Sequence, residues 1–150
     1  MIMRRKASGH FGLSIPAADA IDFFTPEGER SWAPGWDPTY PSGEPSETAG
    51  TVFITEHGDT KTVWVIEKID RTANTSAYSR TTPGHHAGTV RVRCEDRCDG
   101  HSVVSVEYDM TALTPDHAHA LDAYNDERFE AMMKEWATRV TANLTPETRP

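Results

Sequence analysis

Seven histidines and two cysteines are the first groups in this chain to test for chemistry. A helical metal pair needs its ligands at i and i+4, so that both project from one face. His117 and His119 stand two apart on a helix-like segment and point away from each other. His85 and His86 are adjacent, and adjacent side chains on a strand face opposite sides. A set drawn from His57, His85 and His101 has no support in spacing, so neither a metal site nor a cofactor is expected. Cys94 shares an apolar strand face with Val90 and Val92, where a thiol has no base and no positive neighbour to activate it. Cys98 sits beside the Asp99-Gly100 turn and is expected at the surface. On one extended strand the two cysteines lie roughly 13 Å apart, against about 7 Å at most for a disulfide. Both are read as free thiols. No glycine-rich phosphate loop or nucleophile elbow occurs.

Arg80 has more scope. It stands between Tyr78 and Thr82 in a strand-like run, so the three side chains share a face. On an inner face the guanidinium would need a partner, Glu67 or Glu107, and could fix a carboxylate or phenolate on a ligand. On an outer face it is an ordinary cross-strand charge, and the rarity of fully buried arginine favours that reading. Tyr78, Tyr108 and Glu67 are the other groups that could move protons. The stretch "FTPEGERSWAPGWDP" holds two of the four tryptophans but no cysteine or histidine, so it is no redox or metal motif. Its prolines stiffen the backbone, and Trp32 and Trp36 each bring a large area to bury. They are expected to plug one end of the fold, with Trp36, Asp37 and Tyr40 as the alternative lining of a mouth.

The elements that must position these groups follow from periodicity. Segments 51–57, 60–70, 76–82, 88–95 and 101–113 are rich in β-branched and aromatic residues that alternate. Short turn signals separate them: His57-Gly58-Asp59, Arg71 to Asn74, Pro83-Gly84 and Asp99-Gly100. No helix intervenes, so an antiparallel meander is expected. Residues 4–15 read as a further strand, starting on the Arg4-Arg5-Lys6 run. "PAADAIDFF" reads as a short helix with Ala17, Ile21 and Phe24 on one side, and Thr25-Pro26-Glu27 as a second helix start. A long loop without periodicity follows. At the C-terminus Thr114 caps and Pro115 opens one amphipathic helix of about 30 residues, or ~45 Å, over 114–144. Its apolar stripe includes Ala118, Leu121, Phe129, Met132, Met133, Trp136, Val140 and Leu144.

With 150 residues, one domain is expected, large enough to bury a core without staples. Twenty-three acids against fifteen bases give a net charge of −8, which argues against a nucleic-acid groove. No apolar run reaches the ~18 residues of a membrane span, and no apolar leader core follows the first charges. A cytoplasmic location is expected, and a homodimer stays open.

The element order, together with "FTPEGERSWAPGWDP", "YSRTTPG", "GTVRVRCE" and "VEYDMTALT" before a tryptophan-bearing helix, resembles the SRPBCC superfamily. These START-like or helix-grip proteins include polyketide cyclases and birch-pollen-allergen relatives, and the motifs resemble an uncharacterised bacterial branch. The likeness runs from about residue 9 to residue 144. It implies an α+β helix-grip fold: a curved antiparallel sheet of about six to seven strands around the long helix, with two short helices after the first strand. It also implies a cavity for a small hydrophobic molecule such as a lipid, polyketide or aromatic. The expected wall is Trp36, Trp64, Tyr78, Arg80, Val92, Tyr108, Met110, Phe129, Met132 and Trp136. A carrier or sensor is the first reading; a cyclase- or hydratase-like enzyme and a protein-interaction module are the rivals. The inward face of 60–70 is left open, because Trp64 and Ile66 oppose Val63 and Val65 with equal hydrophobicity.

Overall fold

The computed structural model describes residues 1–144. Strand β1 (Arg4–Leu13) leads into a one-turn helix α1 (Ala17–Ala20), which tightens into a 3-10 turn at Ile21–Phe24. Ala17, Ala20, Ile21 and Phe24 are buried, giving the predicted one-sided packing. A second 3-10 turn, Gly28–Ser31, stands where a second helix start was expected. The meander then runs through β2 (Val52–His57), β3 (Thr60–Asp70), β4 (Thr75–Thr82), β5 (His86–Asp96) and β6 (Ser102–Ala112). All pairs are antiparallel in one six-stranded sheet ordered β1-β6-β5-β4-β3-β2.

The turns form where the residues permit the backbone. Asp70 Oδ1 accepts from the amides of Thr72 and Ala73 at 2.9 and 3.0 Å, and Asn74 takes φ 57° to re-enter β4. Gly58 and Gly84 supply positive φ at the neighbouring hairpins. Between Ile66 and Lys68 the register shifts by a bulge, which bends β3.

The C-terminal segment corrects one expectation. Instead of a single helix over 114–144, residues Pro115–Tyr124 wind as a 3-10 helix, and the α-helix proper is α2 (Asp126–Ala142). Asn125 makes the break. Its backbone is extended, at φ −68° and ψ 163°, and its side chain accepts from Arg128 N at 2.9 Å as an N-cap. The apolar stripe continues through the break, which hides it from periodicity. Seventeen residues span about 25 Å. α2 buries Phe129, Met133 and Val140, and lies against β1. Gly9 allows that approach, since a Cβ there would stand 2.8 Å from Met133 Cγ. Among the described residues no helix is long and apolar enough to cross a membrane.

Candidate functional site

The strand registers align the concave side chains in rows. One row reads Phe53, Trp64, Arg80, Gly88, Met110, Arg5. Beside it on one side lie Thr82, His86 and Ala112, with Thr62 joined to Thr82 by a 2.8 Å hydroxyl bond. On the other side lie Ile66, Tyr78, Val90, Tyr108 and Ala7, then Ser76, Val92, Val106 and Gly9. The concave face thus runs from polar to apolar along the strands. The open question about β3 is settled: Trp64 and Ile66 are buried, while Val63 and Val65 face outward.

Arg80 is therefore on the inner face, against the sequence-based preference for the outer one. Its guanidinium carbon lies 4.7 Å from the centre of the Trp64 ring, and that cation–π contact lowers the cost of an inward charge. The partners expected for it are absent from this face: Glu67 and Glu107 are exposed on the convex side. Arg80 Nε is buried without an acceptor among the described residues, as are Arg5 Nε and His86 Nδ1.

The acid whose charge acts on Arg80 is Glu29, in the Gly28–Ser31 turn where a helix start was expected. Thr25 Oγ1 accepts from Gly28 N at 3.0 Å and donates to Asp22 O at 2.9 Å. Gly28 packs so close that a Cβ would lie 1.6 Å from Asp22 O. This tight turn swings Glu29 inward, where it keeps some exposed surface yet is enclosed by protein. Burial pushes its carboxyl up to about 8, although the Arg80 charge pulls it down. Burial first, then Arg80, His85 and His117, push His86 down to about 4. Burial likewise raises Tyr108 and, further, Tyr78, and the Glu29 carboxyl adds to both.

Of the proton-moving candidates, Tyr78 is engaged elsewhere: its hydroxyl donates to Phe24 O at 2.6 Å, tying β4 to the first 3-10 turn. Glu67 is too distant, being on the wrong face. Tyr108 stays in the interior, packed on Tyr124 and Phe129. The tryptophan loop is a strut. Trp32 and Trp36 donate their indole N–H groups to Phe23 O and Pro26 O at 2.7 and 2.8 Å. Trp32 meets Trp136 and Phe24; Trp36 meets Trp64 and Phe53. Asp37 is exposed and pairs with Arg30, and Tyr40 donates to Glu27, so neither opens freely as a mouth.

The ten expected wall residues differ in burial. Trp64, Tyr78, Val92, Tyr108, Met110 and Phe129 are core, whereas Trp36, Arg80, Met132 and Trp136 keep exposed surface. The histidines also regroup: His85 and His117 meet at a tilt with ring centres 4.0 Å apart, and Thr114 Oγ1 bonds His117 Nδ1 at 2.8 Å. Among the described residues no group of three metal-ligating side chains is placed to hold an ion. Cys94 is buried and its thiol is pushed up to about 12 by burial; Cys98 is exposed in a 3-10 turn beyond β5.

Two clefts flank this interior. One of about 430 Å³ lies between β1 and α2, over Phe11, Phe129 and Met133. The other, about 580 Å³, crosses the convex face where Ser8, Ala77 and Ser105 leave a trough between Arg91 and Arg93. The larger one is on the opposite side of the sheet from Arg80. Its volume reflects small side chains on a twisted surface rather than convergent chemistry.

No family model matches the chain, and no curated protein matches it in sequence. Solved structures do match over nearly its whole length. Ara h 8.0201 aligns at 16% identity and TM-score 0.66, covering 93% of this chain and 99% of its own. The ZhuI aromatase/cyclase from a Streptomyces species aligns at 13% and 0.64, covering 98% and 99%. Norcoclaurine synthase from Thalictrum flavum, in complex with dopamine and hydroxybenzaldehyde, aligns at 9% and 0.64, covering 95% and 89%. At these identities the likeness is one of fold: the chain has the helix-grip fold of the START-like proteins.

Proposed function

We propose that this protein binds a small apolar molecule between the concave sheet and α2 and acts as its carrier or sensor. The supporting observation is the unfinished inner wall: Trp36, Met132 and Trp136 lie against the core yet keep exposed surface. Aromatic rings and methionine suit such a wall, because they offer large area and adapt to varied shapes. The fold's neighbours include an aromatase/cyclase and a synthase complexed with two small aromatic molecules, which supports an apolar or aromatic occupant.

Titration with dodecan-1-ol tests this reading, followed by tryptophan fluorescence and by native mass spectrometry against the denatured mass. Saturable quenching and a bound mass are expected, with weaker binding in Trp136→Ala. Unchanged fluorescence at saturating alcohol, with no bound mass, would sink the proposal. A second reading, an enzyme in the same space, draws on Glu29: a carboxyl poised at about 8 beside a cation can give and take a proton near neutrality.

A further inference from the structure

Resting on that reading of the interior, we infer that the ligand is a monoanion, an apolar body ending in a carboxylate, held by Arg80. The donors come first. Arg80 and Arg5 approach the same row from opposite strands, about 14 Å apart at their Cα atoms by three strand spacings. Gly88 and Met110 lie between them, and each arginine has a buried Nε without an acceptor. A buried donor left unpaired costs free energy that a bound acceptor recovers, and a guanidinium matches a carboxylate in shape and charge.

The carboxylates that might compete are elsewhere. Asp96, at the far end of β5, accepts from the α1 amide of Ala17 at 2.8 Å. Asp109 is convex and paired with Arg4 at 2.7 Å. Glu29 makes no ion-pair contact with Arg80 among the described residues, so the guanidinium is left free for a ligand.

α2 adds the uncharged Trp136, edge-on to Trp32 and Tyr108. Orientation follows from the graded face: the head group lies in the Arg80 row, and the apolar body points toward the apolar end of that face.

The experiment compares laurate with dodecan-1-ol, equal chains differing in charge, by tryptophan quenching at pH 7.5, where laurate is ionised. Laurate is expected to bind about tenfold more tightly than the alcohol, as one charge-assisted contact supplies. In Arg80→Met laurate should bind no better than the alcohol. The wild-type comparison needs no variant to fold. Alcohol binding with no laurate advantage in the wild type overturns this inference and leaves the apolar site standing. Failure of both ligands overturns both.

Discussion

Glu29 and Arg80 carry the interior's electrostatics, and each sits against its ordinary preference for water. The protonated carboxyl is the form that enclosure selects, because desolvation penalises only the charged form. Its ordinary value is 4.5 and the folded value about 8, so the folded state holds this proton more tightly than the unfolded state. Stability from this group is complete below pH 4.5 and is lost as pH climbs through about 8. Glu29→Gln should therefore match the wild type at pH 4 and exceed it in urea denaturation at pH 8.5. A variant less stable than wild type at pH 8.5 would mean that the carboxylate is welcomed in the interior after all. His86 works in the other direction: burial first, then Arg80, His85 and His117, favour its neutral form, so its contribution is present above pH 6.5 and lost as pH falls through about 4. The acid limb and the alkaline limb of the stability profile thus report different residues.

At the scale of elements, two positions decide how the C-terminal segment and the sheet meet. Asn125 both ends the 3-10 helix and caps α2 through Arg128 N. Asn125→Ala should cost about 1 kcal/mol in chemical denaturation, the usual worth of an N-cap, without moving the ligand site. Gly88 is different in kind. A Cβ there would stand 2.0 Å from Asp109 O and 2.7 Å from Met110 Sδ, and the first is backbone that cannot step aside. Gly88→Ala should cost about 3 kcal/mol, at the upper end of overpacking effects, and should also disturb the Arg80 row. Equal costs for the two variants would show that the β5–β6 pairing is more pliable than its geometry implies. The alternation in β5 and β6 was legible in the sequence, and so were all four hairpin turns. The break at Asn125 was not, because the apolar stripe continues across it and periodicity sees only the stripe.

For the whole molecule, the net charge of −8 and the cationic interior oppose each other. The outer field repels an approaching anion, whereas the site attracts it over short range only. Laurate association should therefore quicken when salt rises from about 20 to about 200 mM, as screening shortens the repulsive field from roughly 20 to 7 Å. Slower association at high salt would instead indicate a basic surface path, such as the Arg91 and Arg93 trough. Most surface ion pairs, among them Arg30 with Glu27 and Lys134 with Glu130, are exposed and set shape more than stability.

Alternation, turn residues and the helical stripe by themselves determined the antiparallel meander, the covered face and the terminal helix, because local periodicity records which side of each element avoids water. They also placed Cys94 inside and Cys98 outside. They left undecided which face of β3 and β4 looks inward, since Val63, Trp64, Val65 and Ile66 are equally apolar. Only the tertiary structure settled that, by pairing Trp64 with Arg80 in register and so turning Arg80 to the interior. The same holds for Glu29: its neighbours in sequence are solvated charges, and its partner lies fifty-one residues away (80 − 29) in β4. Charge partnership across such a distance is set by how the chain closes, and no local pattern encodes it.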